Sequence, residues 1–334
     1  MTLERGPMKI LMSRMALDEI GPVMSARIGT DTWQPVLVGE ATMAQQQEAD
    51  LAFISRDVTG RSTKYELSDS LKAFYDVLRA APALRWVHVH SAGADRPIFG
   101  ELRARGVTVT TSSGANAPIV AQTAIAGILA LTRRFPQLMA AQRERRWTPL
   151  YGDVMPPDLA GQTAVVVGWG PAGQRIGELL QVLGVKLIVV RHRDEPVSPD
   201  VPTFTYARLG ETLPGADWLV LVCPLSELTR QLIDAPMLAR LPRGAQLINV
   251  ARGEVVDEPA LIAALQSGQL GGAYLDVFAH EPLDSASPLW TLPNVIVTPH
   301  AAGHSAGNFA RVAQIFIDNL GAWVEGGALR NRVA

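Results

Sequence analysis

Short apolar runs alternate with stretches of helical period along most of the chain. Residues 9–12, 51–54, 86–89 and 107–111 are apolar runs of strand length in the first third. Between them, residues 68–78 set Leu71, Phe74, Tyr75 and Leu78 three or four positions apart, the spacing of a helix with one buried face. Pro118 opens an alanine-rich run to about Arg133 that is apolar nearly all round, which predicts a helix covered on several sides. From Gly161 the alternation becomes regular. Strands are expected at 164–167, 187–190, 219–222, 246–250, 273–277 and 295–298, with helices at 175–183 and, capped by Asp257, at 259–266. Their length and β-branched content predict a parallel sheet covered on both faces. Near the end, Phe309, Val312, Phe316, Leu320 and Trp323 share one helical face. That helix arrives after the second sheet is complete, so it is expected to return to the first domain. The fold class that follows is α/β, in two domains: 1–117 with 301–334, discontinuous, and 118–300.

Length and composition agree with this division. The chain has 334 residues, 48% of them apolar and 19% charged, which suits two folded α/β cores. A net charge of −2 provides no field to draw in nucleic acid. Arginines at 133, 134, 143, 145 and 146 read as a solvated face or a subunit contact. Cys223 is the only cysteine, so no intrachain disulfide forms, and a reducing compartment, the cytoplasm, is expected. No signal-like core and no bilayer-length apolar run is present, so no membrane partner is expected.

The strongest local signal is Gly168-Trp169-Gly170-Pro171-Ala172-Gly173. This G-x-G-x-x-G follows a predicted strand and opens a predicted helix, the context in which it binds a dinucleotide. The first glycine allows the tight turn, the second lets backbone approach a pyrophosphate, and the third lets helix and sheet pack closely. The helix N-terminus offers N–H groups to the phosphates. An acidic residue after the second strand would bond the ribose 2′-hydroxyl. This chain has Arg191-His192-Arg193 there, a pair of guanidiniums suited to a 2′-phosphate. NADP(H) is therefore expected over NAD(H), although Asp194 and Glu195 lie close enough to neutralise the arginines. Cys223-Pro224, Val250-Ala251 and Asp276 end further strands at the same edge and complete the expected cofactor set.

Three ionisable residues stand just beyond predicted strands, where open α/β sheets bind ligands. Arg252 follows Leu247-Ile248-Asn249-Val250-Ala251, Glu281 follows Tyr274-Leu275-Asp276-Val277-Phe278, and His300 follows Val295-Ile296-Val297-Thr298-Pro299. Each alone reads as a loop charge more readily than as a catalyst. Their shared placement is what raises the functional reading.

These stretches, with Ser91-Ala92-Gly93-Ala94-Asp95 and Leu292-Pro293-Asn294, resemble in order the D-isomer-specific 2-hydroxyacid dehydrogenase family, and within it the glyoxylate/hydroxypyruvate reductases. The resemblance implies two Rossmann-like domains with parallel sheets flanked by helices, an active site in the interdomain cleft, and a homodimer. It implies that Arg252 holds the substrate carboxylate and polarises the keto oxygen. His300 would exchange a proton with that oxygen, Glu281 would fix the imidazole, and backbone around Ala92 and Gly93 would receive the carboxylate. The expected activity is NADPH-dependent reduction of a small 2-keto acid to a 2-hydroxy acid. An NAD-dependent dehydrogenase for a larger D-2-hydroxy acid and a dinucleotide-sensing interaction protein are the alternatives. Departures from the family pattern are Gln122-Thr123, Glu254 and His304. A helix beginning at His304 would set it on the face of His300. Met12, Trp33 and residues near Ala94 are expected to shape substrate preference. No metal is expected: His88, His90, His300 and His304 lack a carboxylate or cysteine placed to complete a set.

Overall fold

The computed structural model describes residues 6–60, 62 and 66–333. It divides into two compact units, Met1–Ala115 with Ser305–Ala334, and Asn116–His304. No helix among the described residues is long and apolar enough to cross a membrane.

The first unit holds a parallel sheet in the order β2-β1-β3-β4-β5, from β1 (Met8–Met12), β2 (Trp33–Leu37), β3 (Leu51–Ile54), β4 (Trp86–Val89) and β5 (Thr108–Thr111). Alternation along β1 divides its side chains between two cores. Leu11 packs with Leu71, Phe74 and Leu78 of the Asp69–Ala80 helix. Ile10 and Met12 pack on the other face with Phe316 and Leu320 of the Asn308–Val324 helix. The Phe316 ring stacks on Phe53 at 4.5 Å. Met12 and Trp33 are buried in this second core, so they are packing residues and do not form the substrate-facing wall expected of them.

β2 and the Arg14–Ile28 helix have no clear pattern in the sequence, because prolines interrupt both. Pro35 is tolerated since β2 is an edge strand, where a missing N–H breaks no inner ladder. The helix carries Pro22 inside it but is held at its start by Ser13, whose Oγ accepts from the Ala16 N–H at 3.1 Å, a side-chain cap of the usual kind.

The second unit holds a parallel sheet in the order β12-β11-β10-β9-β6-β7-β8. Its strands are β6 (Thr163–Val167), β7 (Lys186–Arg191), β8 (Thr203–Thr205), β9 (Trp218–Leu221), β10 (Ala245–Asn249), β11 (Leu270–Leu275) and β12 (Val295–Val297). Ala164 and Val166 face the Ala117–Thr132 and Pro171–Val182 helices, while Val165 and Val167 face the Glu258–Gln266 helix. The order runs outward from β6 in both directions, so the crevice at its carboxyl end is the topological switch point where such sheets take ligands. β11 starts earlier than its apolar run, through Gly271 and Gly272, and stops at Leu275. Asp276 and Val277 therefore belong to the loop that follows. The arginine-rich stretch contains a helix, Phe135–Arg143, entered through Arg134 in left-handed backbone. No helix starts at His304. It follows the turn at Ala302-Gly303, donating its N–H to the Ala301 carbonyl at 2.9 Å, and the next helix begins at Asn308.

Candidate active site

The glycine turn joins β6 to the Pro171–Val182 helix. Gly168 has φ +108°, and a Cβ there would lie 2.6 Å from the Cys223 nitrogen. A Cβ on Gly173 would overlap the Gly168 carbonyl. Both positions are therefore closed to side chains for reasons internal to the fold. Gly170 differs: nothing lies within 4 Å of where its Cβ would stand. Open space at this point, beside a helix start with no side-chain cap, is what a pyrophosphate approaching backbone requires. Pro171 has no N–H, so Ala172 and Gly173 present the first free donors. The Trp169 indole turns back onto Gly177, so this residue offers a ligand its backbone.

At the next strand, Arg191 is half-buried and pairs with Thr205 of β8, while His192 and Arg193 are exposed. Neither arginine has a carboxylate partner among the described residues. The acidic neighbour Asp194 bears instead on Arg208, whose main partner is Glu211 at 2.7 Å. His192 faces Tyr206 at 6.5 Å between ring centroids. Burial pushes the Tyr206 hydroxyl up to about 12, with Cys223 adding to the rise and Arg191 opposing it. Cys223 is itself buried and pushed up to about 12, so it is a packing thiol beneath the glycine turn. These residues fit a dinucleotide with cationic groups at its adenosine end.

β10, β11 and β12 are consecutive in the sheet, and the loops after them carry Arg252, Glu281 and His300. His300 Nδ1 lies 2.8 Å from Glu281 Oε2. The imidazole is about half exposed, whereas Glu281 keeps only 17% of its side-chain surface. Glu281 Oε1 also accepts the Phe278 N–H at 3.1 Å, so one carboxylate both closes its own loop and holds the ring. The ring's other nitrogen, Nε2, is left as the one that can exchange a proton with a ligand. Arg252 is half-buried and donates from Nη1 to the Ala251 carbonyl at 2.7 Å.

Asn249 supports that loop and was not singled out from sequence. Its Oδ1 accepts the Ala251 N–H at 3.0 Å and its Nδ2 donates to the Arg252 carbonyl at 3.2 Å. An asparagine closing the apolar run Leu247-Ile248 is the signal that would have pointed to it. Val250 and Ala251 lie in this loop, and Pro224 lies beyond β9 at the same edge. Ala92 and Gly93 belong to the first unit, after β4, where Ser91 Oγ donates to the Gly93 carbonyl at 2.7 Å. His88 and His90 are buried in that unit. His88 bonds Thr110 and Ser112, His90 bonds Thr59, and burial lowers each to about 3. They are neutral packing groups. No cluster of three metal-ligating side chains occurs among the described residues.

A dinucleotide cradle at the switch point, with a histidine–carboxylate pair and an arginine at the ends of neighbouring strands, defines a nicotinamide-dependent oxidoreductase. Comparison with known proteins narrows the class. The profile described as D-isomer specific 2-hydroxyacid dehydrogenase, NAD binding domain, matches residues 125–302. The chain is 34% identical to a glyoxylate/hydroxypyruvate reductase B of Klebsiella pneumoniae, covering 80% of this chain and 83% of that protein. It is 31% identical to a glycerate dehydrogenase of Methylorubrum extorquens, covering 88% of each. A D-isomer specific 2-hydroxyacid dehydrogenase from Xanthobacter autotrophicus, solved with NADPH and MES, superposes with a TM-score of 0.77 at 29% identity, over 99% of this chain and 98% of that one. The chain belongs to the D-isomer specific 2-hydroxyacid dehydrogenase family. It is an NAD(P)-dependent 2-hydroxyacid dehydrogenase or 2-keto acid reductase.

Proposed function

We propose that this enzyme reduces small 2-keto acids, glyoxylate and hydroxypyruvate foremost, and draws its hydride from NADPH. The observation that carries the reaction is the 2.8 Å contact between His300 and Glu281, one strand over from Arg252. When bound, a nicotinamide would supply the hydride that C2 receives. Arg252 pairs its guanidinium with the substrate carboxylate and draws electron density toward the keto oxygen, a task for a planar, permanently charged fork. His300 Nε2 gives that oxygen its proton, so keto acid, NADPH and one proton become hydroxy acid and NADP+. Glu281 keeps the ring oriented by accepting from Nδ1. In the oxidative direction the same imidazole takes the proton back.

Two observations support NADPH: Arg191 and Arg193, which have no carboxylate partner among the described residues, and the NADPH held by the Xanthobacter relative. The names of the reductase relatives support small substrates. We also infer a homodimer. Phe135, Met139, Trp147, Tyr151 and Met155 are all exposed along one segment, Trp147 almost completely, and apolar surface of this kind marks an association site.

Purified enzyme should be assayed with NADPH and NADH against glyoxylate, hydroxypyruvate, pyruvate and phenylpyruvate. The expected result is the highest kcat/KM with NADPH and one of the first two acids. A preference for NADH with phenylpyruvate would move the assignment to a dehydrogenase for larger hydroxy acids. No turnover of any 2-keto acid would overturn the reading.

A further inference from the structure

His300 stands in left-handed backbone, φ +51°, a region that disfavours residues with a side chain. The His300 N–H is shared with the Thr298 carbonyl at 3.0 Å, but most of what holds the turn comes from one buried residue. The His300 N–H donates to the Asp276 carbonyl at 2.8 Å, the Ala301 N–H to Asp276 Oδ1 at 2.8 Å, and the Ala302 N–H to Oδ2 at 2.9 Å. Three consecutive backbone donors thus converge on Asp276, which is 2% exposed. The carboxylate is oriented in turn by Thr298, whose Oγ1 donates to Oδ1 at 2.6 Å. With its only proton committed, the Thr298 oxygen can only accept from Tyr274 Oη, also at 2.6 Å. Tyr274 is therefore the donor that ends the chain, consistent with a hydroxyl that burial pushes up to about 12. Its ring is pressed against the Ala117–Thr132 helix, where a Cβ on Gly127 would come within 2.6 Å of it. The same helix reaches the turn again, as Thr123 Oγ1 donates to the Ala302 carbonyl at 3.1 Å.

We infer that Thr298 and Tyr274 are positioning residues for the proton donor. Through Asp276 they fix the turn that aims the His300 imidazole at Glu281 and presents Nε2 to the substrate. This rests on the reductase reading above. Hydrogen bonds in such chains polarise and strengthen one another, and a small misplacement of a catalytic group costs rate far more than affinity.

Thr298→Val removes the hydroxyl at nearly constant volume, Thr298→Ser keeps it, and Tyr274→Phe removes the outer donor alone. The expected result is a kcat about 10-fold lower in T298V and about 3-fold lower in Y274F. KM for NADPH should stay within about 2-fold, and T298S should recover most of the wild-type kcat. A second readout needs no turnover: in histidine-labelled enzyme, the His300 ring resonance, assigned by its loss in H300Q, should move in T298V and return in T298S. Should T298V fold poorly, Y274F carries both measurements. An unchanged kcat in both variants overturns the inference, as does a T298S that rescues nothing. An unmoved ring resonance overturns it even if the wild type reduces none of the 2-keto acids, which separates its failure from that of the proposed reaction.

Discussion

Replacing Arg191 and Arg193 together by alanine tests the cofactor half of the proposal most directly. Charge-assisted hydrogen bonds contribute about 1.5–3 kcal/mol when well shielded. Arg191 is only half-buried and Arg193 is exposed, so solvent screening lowers both values. Taking roughly 1.5 kcal/mol for Arg191 and 1 kcal/mol for Arg193 gives a loss of about 2.5 kcal/mol against a 2′-phosphate, or roughly 60-fold in kcat/KM for NADPH. NADH makes every other contact and lacks only the group these arginines would hold, so its kcat/KM should change by less than about 3-fold. The selectivity ratio should then fall some 20-fold or more. Initial rates with each cofactor at saturating glyoxylate, repeated at 0.05 and 0.5 M salt, give the measurement. The wild-type preference should itself shrink at high salt, because exposed charges are screened. Equal losses for both cofactors would show that the pair supports the β7 end and does not read the phosphate. A pair already neutralised by Asp194 and Glu195 would also give a small, unselective effect. The position of Asp194 near the Arg208–Glu211 pair argues against that outcome.

Other outcomes follow from the same geometry. His300→Ala should lower kcat by roughly 10²–10⁴-fold, the range for a lost general acid, with the Kd for NADPH from fluorescence titration nearly unchanged; normal turnover would exclude His300 as proton donor. Stability should fall with acid because His88 and His90 drop from 6.5 to about 3 on folding. The unfolded chain binds protons there that the folded one refuses. Their contribution is therefore complete above pH 6.5 and is lost as pH falls toward 3, by about 1.4 kcal/mol per pH unit for each histidine. Urea midpoints for wild type and His88→Gln between pH 7 and 5 measure this, and equal pH slopes in the two would refute it. Trp147→Asp should convert the proposed dimer to a monomer by light scattering on a sizing column, and an unchanged dimer mass would place the interface elsewhere.

Much of the fold was legible because its strands are locally apolar and its helices locally periodic. The runs at 51–54 and 86–89 became strands without adjustment. β2 and β8 escaped notice since Pro35 breaks one apolar run and the other is the short polar sequence Thr203-Phe204-Thr205. Both are edge strands, which need only one partner and so impose weaker demands on sequence. The same reasoning explains Met12 and Trp33. They were expected to shape substrate preference, but the core under the Asn308–Val324 helix is supplied from the far end of the chain. No local pattern announces a contact made across some 300 residues.

The candidate site divides along the same line. Gly168, Gly170 and Gly173 are readable because turn, approach and packing are all set within six residues. The geometry of His300 is not readable in this way. Its ring is held by Glu281 and its backbone by Asp276, both contributed from β11's loop. Asp276 was expected to touch the cofactor, yet three backbone N–H groups and the Thr298 hydroxyl converge on it. A buried carboxylate that organises a turn must find its donors nearby, since an unpaired charge is costly away from water. The sequence Thr298-Pro299-His300 supplies the hydroxyl and the proposed proton donor two residues apart. The aspartate that joins them lies in the loop after another strand, so no local pattern gives the reason the proposed proton donor points where it does.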